Sequence, residues 1–297
     1  MIGSRNTFPK LMGVLNITPD SFSDGAFYFN PNSAINHALE LIDEGADIID
    51  IGGESTRPGA DEVSEPEELS RVIPVVKELK KLRPNTQISI DTTKYEVAKQ
   101  SLDLGVEIIN DISGLNFEIR LAELAKQFDA GLVIMHIKGK PRVMQVNPTY
   151  DDLIQEIYIH LSEKIDYANS LSLNKLWYDV GIGFGKTAED NITLLKNLDK
   201  FDNLNAKQLL GISRKSFIGK LLNVDSPLDR DLPTLLIHSL LLKNNIDIIR
   251  VHSIKEYIML RNIFDLLQWY LFFLNEYFQI TILESQILLI TQISRIK

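Results

Sequence analysis

The chain has 297 residues, of which 44% are hydrophobic, and this is enough to bury one large core. Its formal net charge of −9 argues against nucleic acid as a partner, because phosphate backbones are held by clusters of lysine and arginine. The absence of cysteine excludes disulfides, thiolate catalysis and cysteine zinc sites.

Short apolar runs alternate along the chain with longer segments of helical spacing. The strand candidates are Leu11–Asn16, Asp47–Gly53, Ile88–Thr92, Ile108–Ile112, Gly131–His136, Leu176–Gly181, Gln208–Ser213 and Asp247–His252. The helix candidates that stand out between them are Ser33–Gly45, Glu65–Leu82, Glu96–Gly105 and Asp151–Leu171. This alternation is typical of an α/β fold, and we expect a (β/α)₈ TIM barrel of parallel strands. An open, doubly wound sheet is the alternative that the pattern leaves open.

The two ends of the chain lack the features of membrane segments. Residues 1–10 contain no apolar stretch of signal-peptide length, so we expect a cytoplasmic protein that does not bind a membrane. Apolar residues are dense near the other end, but polar residues interrupt them: Glu276, Gln279, Glu284 and Gln286. No uninterrupted run there approaches the ~20 residues that cross a bilayer. We expect residues 1–267 to form the barrel and residues 268–297 an atypical helical tail of unassigned function.

Nearly every strand candidate ends in a polar or charged residue. These residues are Asn16, Glu54, Asp91, Asn110, Asp111, His136, Asp179, Ser213, Arg214, Arg250 and His252. Any one of them can be an ordinary strand end or helix cap. In a barrel, however, the C-terminal ends of all strands converge on the face that carries the active site. Together these residues therefore indicate an enzyme.

Two loops combine turn-forming residues with groups that can bind an anion. The first, NITPDSFSDG (16–25), consists mostly of turn formers, which explain its composition without a function. The second, GGESTRPG (52–59), has glycines that permit close backbone approach, and its Thr56 and Arg57 can donate hydrogen bonds to an anion. An exposed arginine in a flexible loop is the alternative interpretation.

The first of these motifs, followed by GADIIDIGGESTRPGA (45–60), resembles the paired signature of the dihydropteroate synthases. The resemblance spans residues 11–267 and continues through SIDTTK (89–94), IINDISG (108–114), MHIKGKPRVMQ (135–145), GIGFGK (181–186), ISRKSFIG (212–219) and IIRVH (248–252). It implies a pterin-binding barrel and a transferase of folate biosynthesis. Such an enzyme joins dihydropterin pyrophosphate (diphosphate) to p-aminobenzoate, forms homodimers and is a target of sulfonamides.

The resemblance also implies a role for each matching residue. The pterin ring would be held by Asp91, Asn110, Asp179 and Lys215. The diphosphate would be held by Asn16, Thr56, Arg57, Arg250 and His252, with Asn16 also a ligand of Mg²⁺. The p-aminobenzoate pocket would be formed by Phe22, Thr56, Pro58, Lys215 and Ser216. The catalytic residues would be Asp24, Lys215, Arg250 and His252.

The chemistry of these residue types suits such roles. A 2-aminopterin presents a row of N–H donors, which buried carboxylates accept directionally. Arg250 and His252 alternate on the last strand candidate, so both side chains leave the same face. Mg²⁺ prefers oxygen ligands and often binds through substrate phosphates. With no Ser–His–Asp or Cys–His pair evident, we expect the diphosphate to leave first and the amine to capture a pterin-stabilised cation.

The sequence departs from the family pattern at a few positions. These are Val180 in place of proline, Pro233 in place of glycine, Asn245-Ile246 in place of small residues, and Ser253 in place of aspartate. None removes a proposed substrate contact, although Ser253 could weaken the positioning of His252.

Two rival functions remain open. A pterin-binding methyltransferase would use the same barrel but has no need of the TRPG and SRKS motifs. A non-catalytic paralogue could freely lose the residues assigned to the diphosphate.

Overall fold

The computed structural model describes residues 7–18, 31–56 and 59–268, which contain eight parallel strands closed into a barrel in chain order. The strands are β1 Lys10–Asn16, β2 Ile48–Gly52, β3 Gln87–Asp91, β4 Ile108–Asp111, β5 Gly131–Met135, β6 Leu176–Asp179, β7 Lys207–Leu210 and β8 Ile246–Val251. β8 pairs with β1, from Lys10 opposite Ile248 to Gly13 opposite Val251, and so closes the sheet. The predicted TIM barrel is confirmed, and the open sheet is wrong.

Helices cover the outside of the barrel. They are α1 Pro31–Asp43, α2 Glu65–Leu82, α3 Tyr95–Asp103, α4 Arg120–Gln127, α5 Leu153–Ser170, α6 Ala188–Lys196, α7 Ser216–Leu222 and α8 Asp231–Leu241. A further helix, α9, begins after β8 and covers residues 255–268. Both α7 and α8 lie between β7 and β8. The barrel therefore has one helix more between these strands than a simple alternation requires.

Local chemistry explains where the predicted boundaries were right and where they were too long. The predicted bounds of α2 are confirmed, and its N-cap Ser64 accepts a hydrogen bond from the Glu67 backbone N–H. The first and third helix candidates ended at Gly45 and Gly105, but α1 and α3 end two residues earlier in each case. Both glycines have positive φ values, +107° and +90°, which lie outside the helical region.

Two layers form most of the core. The larger layer packs the outer face of the sheet against the helices. The smaller one fills the inside of the barrel, and it consists of Met12, Ile48, Ile108, Val133, Trp177, Leu209 and Ile248. Because side chains alternate along a strand, the residue two positions later on each strand faces the same interior. On β2, β4, β6 and β8 those residues are polar: Asp50, Asn110, Asp179 and Arg250. A polar layer therefore lies directly on an apolar floor.

The last two helices carry an apolar stripe on their outer surface. On α8, Leu232, Leu236 and Leu240 recur every four residues and are exposed by 64%, 55% and 75%. On α9, Met259 and Ile263 are likewise exposed apolar side chains. Within the described part of the chain, no helix has both the length and the apolar character of a membrane span. Most of the tail predicted from residue 268 onwards lies outside the described residues, and the predicted domain boundary stays a prediction.

Candidate active site

Arg250 lies at the centre of the polar layer and joins three strands. Its Nε donates a hydrogen bond to Asp50 Oδ2 at 2.6 Å, and its Nη2 donates to Asp91 Oδ2 at 2.8 Å. The Asn110 side-chain amide donates to the same Asp50 oxygen at 3.0 Å. These contacts bring together the C-terminal halves of β2, β3, β4 and β8.

Asp179 and Lys215 lie on the other side of Arg250. Asp179 Oδ1 accepts a hydrogen bond from the Gly181 backbone N–H at 2.7 Å, which ends β6 two residues earlier than predicted. Gly211 follows β7 between the two charged groups. A Cβ atom there would lie 3.6 Å from Asp179 Oδ2 and 3.7 Å from Arg250 Cβ. A slot without any side chain therefore separates the carboxylate from the arginine.

Lys215 is held by the loop that follows β6. Its Nζ donates to the Ile182 carbonyl and lies 4.1 Å from the centre of the Phe184 ring. Its ammonium is close enough to Asp179 for its charge to oppose the effect of burial on that carboxyl. The predicted pterin residues, together with Arg250, therefore surround one region at the mouth of the barrel.

Burial brings the pKa values of two of these groups close to neutral pH. It raises the pKa of Asp91 to about 7, against the opposing charge of Arg250 and with the support of the neighbouring Asp50. It also lowers the pKa of Lys215 to about 8, although the charge of Asp179 acts in the opposite direction. Burial likewise raises the pKa of Asp179. The protonation states of Asp91 and Lys215 are therefore sensitive to whatever binds between them.

The predicted rim residues lie around the same mouth. Asn16 is the last residue of β1, paired in register with Gly52, and its Oδ1 would lie 3.8 Å from a Cβ on that glycine. Ser216 begins α7 directly after Lys215. Thr56 is partly buried in the loop after β2. The remaining predicted residues, Phe22, Asp24, Arg57 and Pro58, lie outside the described residues.

His252 follows the end of β8 and is held by the loop after β7. Its backbone N–H donates to Ser213 Oγ at 3.2 Å, and its ring Nδ1 lies 3.0 Å from the same oxygen. The neighbouring Ser253 donates instead to Glu256. The contact with Ser213 therefore orients His252 at the position where the family pattern led us to expect weaker support.

The other departures fit the barrel. Pro233 lies in the first turn of α8, where a backbone N–H needs no partner inside the helix. Val180 is fully buried after β6, and Ile246 is fully buried as the first residue of β8. None of them disturbs the strand order.

Some polar strand ends bond to other parts of the protein. Glu54 accepts hydrogen bonds from the Lys94 ammonium and, at 3.2 Å, from the Val63 backbone N–H. His136 Nδ1 lies 2.9 Å from the Lys186 ammonium, and burial together with that charge lowers the pKa of His136 to about 2. These residues hold loops in place at the mouth of the barrel.

Asp50 was missed by the sequence analysis, which singled out residues at strand ends and in the loops that follow them. Its side chain is 0% exposed, and it is the shared acceptor for Arg250 and Asn110. A signal was present in the sequence, because an aspartate interrupts the apolar run IIDIG and alternates with Ile48 and Gly52.

The described residues offer little to a metal on their own. Within residues 7–18, 31–56 and 59–268, no three His, Cys, Asp or Glu side chains are grouped so that they could hold an ion. The Asn16 side chain offers a metal one oxygen ligand, and this amide oxygen is uncharged. Such a donor suits Mg²⁺ that is bound mainly through phosphate oxygens and water.

Comparisons with known proteins agree with this arrangement. Residues 12–252 match the family model described as pterin binding enzyme. The dihydropteroate synthase of Synechocystis is 44% identical over 247 residues, which cover 82% of this chain and 85% of that protein. The Yersinia pestis dihydropteroate synthase, solved with a sulfonamide drug complex, has a TM-score of 0.79 at 41% identity and covers 86% of this chain and 92% of its own. The Xanthomonas albilineans enzyme, solved with 7,8-dihydropteroate, has a TM-score of 0.77 at 33% identity, with coverages of 88% and 94%. The chain belongs to the dihydropteroate synthase family of pterin binding enzymes.

Proposed function

We propose that this chain condenses 6-hydroxymethyl-7,8-dihydropterin diphosphate with p-aminobenzoate to give 7,8-dihydropteroate and diphosphate. The observation that carries the proposal is the polar layer on the apolar barrel floor, where carboxylates and cations converge on one mouth. The solved Xanthomonas relative with bound 7,8-dihydropteroate supports the same reaction.

The pterin ring is bound within this polar layer. Asp179 Oδ2 faces the slot at Gly211, so it can accept N–H groups from the edge of a flat ring placed there. Asp91 and Asn110 approach from the neighbouring strands, and Lys215 supplies a donor for the ring carbonyl. The absence of a side chain at Gly211 suits a planar ligand.

The diphosphate is bound above the ring, at the rim. Arg250 and His252 extend from the end of β8, and Asn16, Thr56 and Arg57 belong to the first two loops. Asn16 would hold a Mg²⁺ ion, which when bound helps to neutralise the charge of the diphosphate. Adding a chelator should abolish turnover, and adding Mg²⁺ should restore it. Full activity in the presence of the chelator would reject the proposed role of Mg²⁺.

The p-aminobenzoate pocket is formed by Phe22, Thr56, Pro58 and Ser216. Ser216 follows Lys215 directly, so adjacent residues of one turn would contact the two substrates. Phe22 and Pro58 supply flat apolar surfaces for an aromatic ring. A sulfonamide should therefore compete with p-aminobenzoate, and the Yersinia relative has been solved with a sulfonamide drug complex.

The reaction breaks the C–O bond between the pterin methylene and the diphosphate, which leaves with the electron pair. The aniline nitrogen then forms the C–N bond and loses a proton. Arg250 and His252 stabilise the charge on the leaving group, and Asp91 and Asp179 stabilise the electron-poor ring. Asp24 is assigned to the vicinity of the developing positive charge. Positioned charges, rather than a covalent intermediate, lower the barrier.

Turnover of the two substrates with Mg²⁺, measured by release of diphosphate, tests the proposal. Product formation would support it and reject the non-catalytic paralogue. Methyl transfer from a methylated folate, without binding of a pterin diphosphate, would instead favour the methyltransferase. If the protein shows neither of these activities, both enzymatic functions are rejected.

The assembly and location of the protein are also part of the proposal. The exposed leucine stripe of α8 suits an interface with a second copy of the chain, and a homodimer should be seen by light scattering. A monomer would reject that interface. The cytoplasmic location and the helical tail from residue 268 remain predictions, to be tested by cell fractionation and by removal of residues 269–297.

A further inference from the structure

We propose that Asp50 is a positioning residue, which orients Arg250 and the Asn110 amide toward the pterin diphosphate without touching a substrate itself. This inference rests on the proposed function. It concerns a residue of the polar layer to which no substrate contact has been assigned.

The position of Asp50 separates it from any ligand. Its side chain is 0% exposed, and it lies on β2 between the floor residue Ile48 and the strand end at Gly52. One oxygen, Oδ2, accepts both Arg250 Nε at 2.6 Å and Asn110 Nδ2 at 3.0 Å. The other oxygen, Oδ1, has no hydrogen-bond partner among the described residues. Because its side chain is fully buried, we infer that Asp50 acts on the ligand through these two neighbours.

The contact with Asp50 determines which end of the Asn110 amide faces the mouth. An asparagine side chain has a donor and an acceptor end of nearly equal shape, so packing alone does not choose between them. A carboxylate can accept only from the NH₂ group, which therefore points to Asp50. The carbonyl oxygen of Asn110 is left to accept an N–H group of the pterin ring.

Asp50 also prevents a competition for Asp91. Arg250 donates to both carboxylates, and the pterin ring is proposed to need Asp91 as an acceptor. If Asp91 were the sole partner of Arg250, ring binding would have to separate an ion pair. With Asp50 as a second, permanently buried partner, Arg250 keeps its orientation while Asp91 turns to the ring.

The Asp50→Asn variant of the full chain tests this role, because it keeps the size of the side chain and removes its charge. We expect the KM for the dihydropterin diphosphate to rise by about 10- to 100-fold, the change that corresponds to one charge-assisted hydrogen bond. The KM for p-aminobenzoate should change by less than about twofold, since Asp50 acts only on the first substrate.

Asp47→Asn is the matched control. Asp47 lies just before β2 and bonds to Arg261 and, at 2.7 Å, to the Leu11 backbone N–H, at the opposite end of the barrel. Like Asp50→Asn, the Asp47→Asn change removes a carboxylate that pairs with an arginine. We expect both KM values of this variant to match those of the wild type.

The pH dependence of pterin binding separates positioning from a general structural effect. The charged groups around Asp91 are Arg250 from β8, Asp50 from β2, Glu68 from α2, Asp111 from β4 and Lys215 from the loop after β7. The charge of Asp50 raises the pKa of Asp91, and Arg250 lowers it. As the pH is lowered, Asp91 becomes protonated and the affinity for 6-hydroxymethylpterin falls. In Asp50→Asn the midpoint of this fall should therefore lie at a lower pH than in the wild type. A merely structural residue would reduce affinity without moving this midpoint.

A residue swap supplies a second test, should Asp50→Asn fail to fold. Asn110→Asp places two carboxylates against each other and should weaken binding of 6-hydroxymethylpterin. The double variant Asp50→Asn/Asn110→Asp restores an amide-to-carboxylate hydrogen bond in the reverse direction, and it should recover at least tenfold of the lost affinity.

The outcomes distinguish this inference from the proposed function. Unchanged KM values and an unchanged pH midpoint in Asp50→Asn, with an active wild type, would overturn the inference alone. No recovery in the double variant would also overturn it. A wild type that neither binds a pterin nor turns over would reject the proposed function and, with it, the role of Asp50.

Discussion

Replacing Arg250 with alanine would leave two buried carboxylates, Asp50 and Asp91, without the cation that lies between them. Both carboxylates accept hydrogen bonds from the one guanidinium, over distances of 2.6 and 2.8 Å. Breaking a buried ion pair by removing one partner typically costs about 3–5 kcal/mol of the free energy of unfolding. We expect Arg250→Ala to lose this amount near pH 8.

The loss of unfolding free energy in Arg250→Ala should depend on pH, and the direction of this dependence follows from the pKa of Asp91. Its folded-state pKa, about 7, lies above the ordinary value of 3.8, so its protonated form is favoured by folding. That contribution to stability is present at low pH and is lost as the pH rises through the folded-state pKa. Removing Arg250 raises this pKa further. The deficit of the variant should therefore grow from pH 5.5 to pH 8.5, by about 1.4 kcal/mol for each unit of pKa gained.

Urea denaturation of both proteins at the two pH values measures this deficit. Arg83→Ala is the control, because Arg83 pairs with Asp43 at the surface, and such a pair adds little to stability at either pH. An equal loss for Arg250→Ala at pH 5.5 and pH 8.5 would refute the reasoning, since it would mean that Asp91 does not respond to Arg250.

Further predictions concern the ligands. Asp179→Asn should weaken pterin binding about tenfold or more while the circular dichroism spectrum stays that of a folded barrel, and unchanged affinity in a calorimetric titration would place the ring elsewhere. Pterin affinity should be highest between about pH 7 and pH 8, because it needs the charged form of Asp91 above its pKa of about 7 and that of Lys215 below its pKa of about 8; a flat profile would contradict these assignments. Phe22→Ala should raise the KM for p-aminobenzoate and the inhibition constant of a sulfonamide more than the KM for the pterin substrate, and equal effects on all three would argue against a specific pocket.

The fold could be predicted from the sequence because its signals are local. Each strand is a short apolar run, and some helix boundaries are set by a cap or a glycine close by, as Ser64 and Gly105 illustrate. Several predicted strands extended past the observed ends, and at β6 the cause is a polar side chain that bonds to the loop after its own strand. Asp179 does so when it accepts from Gly181.

The candidate site was predicted less completely, because its contacts are not local. The rule that polar strand ends form the site selected Asp179, but it treated Glu54 and His136 in the same way. Their partners Lys94 and Lys186 lie 40 and 50 residues away, and nothing in the local pattern indicates these pairs. Asp50 was overlooked for the opposite reason, since it lies within a strand, and only closure of the barrel brings it to Arg250, 200 residues later in the chain.

Gly211 adds a constraint that no bonding group reveals. The nearest atoms to a Cβ there lie at 3.6 Å or more, which is ordinary van der Waals contact, so the folded protein could accommodate an alanine. The methyl group would nevertheless occupy the gap between Asp179 and Arg250. If the pterin ring lies there as proposed, the fold accepts an alanine at this position that the ligand does not. An unfilled volume can be as necessary to recognition as any donor or acceptor.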